Sequence, residues 1–322
     1  MSFRVFATGS GIAQVAKDFL LSEGCVLEQG EPSDAAEDIA EKVAAFAADA
    51  LIVRQGQIND AVIAASENLK VICKHGIGTD NIDIDAASRR GIRVVYTPNA
   101  NYECVAEHAL GLMLSLSRKI PSQDRQTRRG EFSKKGFDGQ ELQGKTVGLV
   151  GFGRTARRLC ELLAPFKVSV ITYHPSNTRE TLAPYIRKVD SVEEVLRFSD
   201  IVSLHLPLDG ETRQLIDRDR LEEMKSSAYL INTARGGLVN EAHLIAALKK
   251  GQIGGAALDT FEVEPVPPDS PLYDLDNVVL TMHTAGNSDA SLARMAMDSA
   301  INILAVLRGD SLDPRIALNG ES

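Results

Sequence analysis

Thr146-Val147-Gly148-Leu149-Val150-Gly151-Phe152-Gly153-Arg154-Thr155-Ala156 reads as a short apolar strand running into Gly-x-Gly-x-x-Ala at the start of a helix. In a turn of this kind the first glycine, Gly151, permits the tight reversal, the second, Gly153, lets backbone approach a pyrophosphate, and the small Ala156 lets helix and strand pack closely. The amides of Arg154 and Thr155 then point at phosphate from a helix N-terminus, where unpaired N–H groups and the helix dipole both favour an anion. A bare Gly-x-Gly-x-x-Ala is a short pattern that structural loops also satisfy. Context gives it weight, because a strand must precede it and a helix must follow.

Before this turn, apolar or β-branched runs at 4–6, 50–53, 71–74 and 93–96 alternate with helix-like segments at 12–22, 34–47 and 84–90. After it, strands are expected at 168–173, 201–206, 229–232, 256–258 and 278–281. Strands separated by helical segments pair in parallel, with helices on the sheet faces. The chain therefore reads as α/β, with two Rossmann-like parallel-sheet domains, one flavodoxin-like and one dinucleotide-binding, and a cleft between them. Residues 102–118 carry Val105, Leu110, Leu112, Met113 and Leu116 at helical spacing, followed by Pro121 and a polar, basic stretch to Lys135. This predicts a connecting helix and a surface excursion. The last helix, 290–307, stops at Gly309 and is expected to cross back to the first domain. The division is then 1–101 plus 288–322 for a substrate-binding domain and 102–287 for the dinucleotide-binding one.

At 322 residues the chain exceeds what one core usually fills, and 44% hydrophobic with 25% charged residues is ordinary for a globular protein. A net charge of −9 gives no electrostatic reason to expect nucleic acid or an anionic membrane as partner, so an anionic ligand needs a local basic pocket. Cys25, Cys73, Cys104 and Cys160 show neither disulfide-like nor metal-ligand spacing, and Met1-Ser2-Phe3-Arg4 lacks the apolar run of a secretory signal. The longest apolar stretch, 109–116, is under half of a membrane span. These features predict a soluble, cytoplasmic protein without a metal site.

Downstream of the glycine turn, three chemically able residues follow strand-like runs: Arg235 in Ile231-Asn232-Thr233-Ala234-Arg235-Gly236-Gly237, Glu264 in Phe261-Glu262-Val263-Glu264-Pro265, and His283 in Thr281-Met282-His283-Thr284-Ala285-Gly286. An arginine holds a carboxylate through two parallel hydrogen bonds, and a histidine beside a glutamate can give or take a proton near neutral pH. Each of the three alone is more often a surface or structural group, and Glu262 is a neighbouring carboxylate that competes with Glu264 for the assignment. About twenty residues past the turn, where an acid would bond ribose hydroxyls, Tyr173-His174-Pro175 stands instead. His174 does not repel a ribose phosphate as a carboxylate would, and Arg179 is near enough in sequence to help bind one. A polar strand cap and a solvated arginine are the plainer reading of the same two residues.

Together these stretches resemble the D-isomer-specific 2-hydroxyacid dehydrogenase family, whose members include D-3-phosphoglycerate dehydrogenases and glyoxylate/hydroxypyruvate reductases. The supporting motifs are Gly76-Ile77-Gly78-Thr79-Asp80-Asn81-Ile82-Asp83, Val105-Ala106-Glu107-His108, the glycine turn, Ser203-Leu204-His205-Leu206-Pro207-Leu208, the Arg235 segment, Leu258-Asp259 with Glu264-Pro265, and His283. The resemblance spans nearly the whole chain and implies hydride transfer between a nicotinamide cofactor, NAD or NADP, and a small anionic 2-hydroxy or 2-oxo acid. It implies His283 as proton donor, Glu264 as the partner fixing its tautomer, and Arg235 as the clamp on carboxylate and carbonyl. Asp259 is expected to bind the nicotinamide carboxamide. Gly151, Gly153, Arg154, Thr155, His174, Pro207, Thr212, Thr233, Ala234, Ala285 and Gly286 are expected to line the cofactor, with His205 in a backbone role. On the substrate side, the amides of His75, Gly76, Ile77 and Gly78 are expected to form an anion nest. Arg54 falls where phosphoglycerate dehydrogenases contact a distal phosphate, with Lys74 and His75 as further positive charge.

Two departures keep the substrate open. The chain stops soon after its last helix, without the carboxy-terminal regulatory domain of longer phosphoglycerate dehydrogenases, and His174 replaces the acid expected for NAD. A reductase of glyoxylate, hydroxypyruvate or a sugar-derived 2-keto acid fits as well. A nicotinamide-sensing corepressor-type binding protein is the reading from another class, and a formate dehydrogenase would call for glutamine in place of Glu264. Family members form homodimers through the nucleotide domain, with the connecting helix and the excursion after Pro121 at the interface. Leu112, Leu116 and Ile120 are apolar residues that this interface or the chain's own core could bury.

Overall fold

The computed structural model describes residues 2–174 and 182–320. The chain divides into two compact units, Met1–Asn101 with Gly286–Ser322, and Tyr102–Ala285. In the first unit β1 (Arg4–Thr8), α1 (Gln14–Ser22), β2 (Val26–Gln29), α2 (Ala36–Phe46), β3 (Ala50–Val53), α3 (Asp60–Ala64), β4 (Val71–Lys74), α4 (Ile84–Arg89) and β5 (Arg93–Tyr96) follow one another. The five strands lie in the order β2-β1-β3-β4-β5, every neighbouring pair parallel. This is the flavodoxin-like order.

Side chains alternate across these strands, and each face collects its own core. Phe6, Leu51, Ile72 and Val94 pack with Ile39 and Val43 of α2 and with Val62 and Ile63 of α3. Val5, Ala7, Ile52 and Cys73 face the other way, against Ala16 and Leu20 of α1 and against Ala296, Ala300, Ile303 and Leu304 near the far end of the chain. Those last four belong to a 20-residue helix, Asp289–Arg308, which opens on the Ser288 side chain and closes at Gly309, where φ is +77°. By length and by a windowed mean hydropathy of 1.4 this helix could cross a membrane. Its buried stripe, from Ser291 to Leu304, is instead core of the first unit.

The second unit contains α5 (Tyr102–Ser117), α6 (Ile120–Arg128), β6 (Thr146–Val150), α7 (Arg154–Leu163), β7 (Ser169–Tyr173), β8 (Ile186–Lys188), α8 (Val192–Phe198), β9 (Ile201–Leu204), α9 (Arg218–Glu222), β10 (Tyr229–Asn232), α10 (Glu241–Lys249), β11 (Gly255–Leu258) and β12 (Val278–Leu280). Its parallel sheet has the order β12-β11-β10-β9-β6-β7-β8. From β6 the chain steps to one side through β7 and β8, then returns to β9 and steps the other way. The reversal falls between β6 and β9, so the loops after these strands diverge and leave a crevice at their carboxyl ends. The connecting helix, now α5, buries Ala106, Ala109, Leu112, Met113 and Leu116 against Leu159, Cys160 and Leu163 of α7 on one face of the sheet. Leu196, Leu221, Leu244 and Leu248 of α8, α9 and α10 cover the other. The long last helix, Asp289–Arg308, is α11.

Several elements depart from the sequence reading, the five-residue α3 among them. The edge strands β2 and β8 were not expected, because Val26-Leu27-Glu28-Gln29 and Ile186-Arg187-Lys188 lack an apolar run: each is paired on one side only and left largely exposed or half-buried. The excursion after α5 begins as the helix α6, which has no buried residue and so carries no apolar stripe to announce it. Leu112 and Leu116 are buried within the chain, whereas Ile120 is 52% exposed.

Gly148, in the middle of β6, lies directly against the carboxy-terminal end of α8. A Cβ there would stand 2.0 Å from Ser199 Oγ and 2.6 Å from Val195 Cγ1. We expect Gly148→Ala to cost about 1–3 kcal/mol of stability, the usual penalty of overpacking a filled core. Urea unfolding followed by circular dichroism checks this, and an unshifted midpoint would contradict the close approach.

Candidate active site

The site begins where β6 ends. Gly151, at φ +96°, donates its N–H to Tyr173 O at 2.9 Å, and a Cβ on it would lie 2.4 Å from His205 O. Only glycine permits both the turn and that contact. Next, Gly153 caps α7 with no side-chain hydrogen bond and no acid in the first turn, whereas Ser191, Asp217 and Asn240 cap α8, α9 and α10 with side-chain oxygens. The Cβ position of Gly153 meets nothing within 4 Å, so the space beside these uncapped amides is free of protein. Ala156 is fully buried beneath them. A pyrophosphate fits this arrangement, which supplies both room and donors.

Other residues expected to face a cofactor stand at neighbouring strand ends. His174 directly follows Tyr173, whose carbonyl holds Gly151; Arg179 lies outside the described residues. Thr212 Oγ1 donates to Pro207 O at 2.8 Å and closes the turn after β9. Thr233 is 8% exposed, and its hydroxyl has no hydrogen-bond partner among the described residues. A buried hydroxyl left unpaired calls for a partner from outside the protein, and a cofactor group is one that would serve. His205 is structural: its ring bonds Ser203 Oγ at 3.0 Å, and burial pushes its pKa down to about 4, so it stays neutral.

The three catalytic candidates lie on adjoining loops of the same unit. After β10, the buried Asn232 accepts from the Ala234 amide (3.1 Å) and donates to Arg235 O (2.8 Å), which fixes the turn that presents Arg235. A Cβ on Gly236 would lie 1.9 Å from the carbonyl of Phe261, so this turn rests directly on the backbone leading to Glu264. Glu264 follows with one carboxylate oxygen accepting from the Phe261 amide (3.0 Å) and the other 2.7 Å from His283 Nδ1. Partial burial raises the Glu264 pKa, but the hydrogen bonds from His283 and Phe261 and the charges of His283 and Arg235 outweigh it, and the net shift is downward. Glu264 is therefore a carboxylate, His283 Nδ1 carries the proton between them, and Nε2 is left to exchange a proton with a ligand. Of the two neighbouring glutamates it is Glu264 that pairs with His283, while the Glu262 amide bonds Glu241.

His283 sits at φ +53°, a left-handed conformation that a residue with a Cβ adopts only when its surroundings impose it. The constraint comes from Asp259, 1% exposed, whose two oxygens accept from the Thr284 and Ala285 amides at 2.9 Å each. The sequence reading gave Asp259 to the cofactor and missed this anchoring. An aspartate at a strand end bonding amides twenty-five residues ahead leaves no signal in local spacing.

Within the first unit, Arg54 directly follows β3, donates its backbone N–H to Thr8 Oγ1 at 3.1 Å, and has its pKa lowered by burial. Next to β4, His75 is 8% exposed, its Nε2 has no partner among the described residues, and burial, then the Arg54 charge, push it to about 4. It adds no positive charge at neutral pH, contrary to expectation. The nest of amides is also smaller than expected. His75 N–H goes to Val53 O (3.0 Å), and Gly76 N–H goes to Thr97 Oγ1 (2.8 Å) and Lys74 O (3.0 Å). Only the Ile77 and Gly78 amides have no hydrogen-bond partner among the described residues. Gly286, expected on the cofactor side, is assigned to the first unit, where it lies beside Asn101.

A family model described as D-isomer specific 2-hydroxyacid dehydrogenase, NAD binding domain, matches residues 110–285. A D-3-phosphoglycerate dehydrogenase of Archaeoglobus fulgidus is 38% identical over 309 residues, 96% of this chain but 58% of that relative, so the chain spans little more than half of its length. A glyoxylate reductase of Thermofilum pendens is 44% identical over 260 residues, 79% of this chain and 76% of the relative. The crystal structure of the TT0316 protein of Thermus thermophilus aligns with a TM-score of 0.89 at 34% identity, covering 98% of this chain and all of that one.

Between its folded pKa of about 4 and its ordinary 6.5, His75 binds fewer protons folded than unfolded. Stability is therefore lost as pH falls through that window, by up to about 3 kcal/mol for the full shift. His75→Gln should flatten the stability curve between those two pH values in urea unfolding. An unaltered slope would mean that the folded imidazole is solvated.

Proposed function

The chain belongs to the D-isomer specific 2-hydroxyacid dehydrogenases, and on that premise we propose that it interconverts a small 2-oxo acid and its D-2-hydroxy acid with NAD(H) or NADP(H). The observation that carries the proposal is the 2.7 Å His283–Glu264 pair beside the Arg235 turn. When bound, the nicotinamide cofactor supplies or takes the hydride. Everything else falls to the residues described above.

Arg235 holds the substrate carboxylate and polarises the carbonyl, a task for which the planar guanidinium suits better than an ammonium. His283 delivers a proton from Nε2 to the carbonyl oxygen as the hydroxyl forms, and in the reverse direction it takes that proton back. Glu264 keeps Nδ1–H in place and stabilises the imidazolium, so the ring presents one tautomer throughout. Acid–base assistance of this kind contributes about 10²–10⁴-fold. Gly151, Gly153, Arg154 and Thr155 hold the pyrophosphate, and His174 stands at the ribose, where its lack of negative charge leaves room for NADP. Pro207, Thr212, Thr233, Ala234, Asp259, Ala285 and Gly286 line the remainder of the cofactor.

For the substrate, Arg54 with the free Ile77 and Gly78 amides favours an acid with a second anionic group, as in the phosphoglycerate dehydrogenase relative; glyoxylate or hydroxypyruvate is the second choice, favoured by the glyoxylate reductase. The exposed Ile120 and Phe132, 52% and 85% accessible on and after α6, support a homodimer through this excursion. Four free cysteines are in keeping with a cytoplasmic setting.

Initial rates of NADH and NADPH oxidation with phosphohydroxypyruvate, hydroxypyruvate, glyoxylate and 2-ketogluconate test this reading. Turnover of one acid names substrate and cofactor together, whereas NADH binding with no turnover would favour a nicotinamide-sensing protein. His283→Ala and Arg235→Ala should each lower kcat by at least about 10²-fold while leaving NADH affinity intact. Gly153→Ala should weaken NADH binding tenfold or so with no change in unfolding midpoint, because its methyl would occupy ligand space only. A destabilised but tight-binding variant would refute the assignment of that space.

A further inference from the structure

We propose that His108 and Thr281 are positioning residues, a directed hydrogen-bond chain through which α5 holds the His283 loop in its catalytic shape. The inference rests on the dehydrogenase reading for its kinetic consequence and on geometry alone for its structural one.

Asn232, Asp259 and Thr281 are the first residues after, or the last of, three adjacent strands, linked across by Asp259 N–H to Asn232 O (2.9 Å) and Thr281 N–H to Leu258 O (3.0 Å). The Thr281 hydroxyl lies 2.6 Å from Asp259 Oδ1 and 3.1 Å from His108 Nε2. A hydroxyl has one proton to donate, and an ionised carboxylate is the stronger acceptor. Thr281 therefore donates to Asp259, and its oxygen must accept from His108 Nε2–H. The direction of every bond is then fixed: imidazole to hydroxyl, hydroxyl to carboxylate, with the carboxylate in turn accepting from the Thr284 and Ala285 amides.

Those two amides follow His283, and Thr281 stands two residues before it, so Asp259 gathers both sides of the strained residue. Without Thr281, Asp259 Oδ1 loses a short hydrogen bond and the carboxylate is free to rotate away from one amide. Without His108, the Thr281 oxygen loses the donor that orients it from the α5 side, and its bond to Asp259 is weakened. Neither residue touches the reacting atoms in this scheme. Both act through the placement of His283, where a displacement of about 1 Å costs on the order of 10²-fold in rate.

The test compares Thr281→Val, Thr281→Ser, His108→Phe, His108→Gln and the Thr281→Val/His108→Phe double variant. Native-state hydrogen exchange of the Thr284 and Ala285 amides is read first, since it needs no turnover. Exchange should speed up in the Val and Phe variants and return towards wild type in Ser and Gln, which restore a hydroxyl and an N–H donor. With whichever 2-oxo acid the rate assay identifies, kcat should fall about 10- to 100-fold in Val and Phe with little change in KM, and the double variant should be no worse than the poorer single, because the residues act as one unit. Unchanged exchange in both Val and Phe, or rate losses that multiply in the double variant, would overturn the proposal. A wild-type chain that turns over no 2-oxo acid, yet shows this exchange pattern, would remove the dehydrogenase reading and leave the chain of bonds standing.

Discussion

All strands of the second unit run the same way, and a parallel sheet therefore sends every post-strand loop out along one edge. The glycine turn after β6, His174 after β7, Pro207 after β9, Arg235 after β10, Asp259 and Glu264 after β11, and His283 after β12 share that edge because of strand polarity alone. Residues spread over more than a hundred positions meet without any of them being near another in sequence. The reversal of strand order between β6 and β9 opens this edge at one place. The glycines then set how closely the loops approach, Gly151 against His205 and Gly236 against Phe261.

Charge is handled differently in the two halves of this edge. Glu264 is only partly buried, and its negative charge is maintained by a histidine, an amide and a nearby arginine. Asp259 is wholly buried and is held by amides and a hydroxyl. A buried carboxylate without such donors would be costly, so the loop that satisfies Asp259 is thermodynamically bound to the shape that satisfies it. The first carboxylate stands half-open against a histidine, and the second is enclosed by backbone amides and a hydroxyl.

Much of this was legible in the sequence, for identifiable reasons. A strand such as 50–53, Ala-Leu-Ile-Val, is buried on both faces and shows as an unbroken apolar run. Helix α5 shows in its apolar spacing, and Gly309 marks the end of α11. Edge strands β2 and β8 and helix α6 do not show, because what makes them regular is pairing or chain continuity, and their side chains face water. At the site, Arg235, Glu264 and His283 stood out through motif context, but nothing in their spacing distinguished Glu264 from Glu262; a hydrogen bond did. The amides of 75–78 looked equivalent in sequence, yet two are consumed by Val53, Lys74 and Thr97, residues that only the fold brings there. The anchoring role of Asp259 was invisible for the same reason.

The position of α11 carries a consequence for how the molecule comes into being. Val5, Ala7, Ile52 and Cys73 are made first, but the helix that covers them, with Ala296, Ala300, Ile303 and Leu304, leaves the ribosome only after the whole of the second unit. The second unit is continuous and can close on itself in the interval. At about 5–20 residues per second the earlier sheet waits on the order of ten to forty seconds with one apolar face uncovered. During translation the order of completion is therefore the reverse of the order of synthesis, and the exposed face of the nascent first unit is the surface on which a cell's folding helpers would have to act.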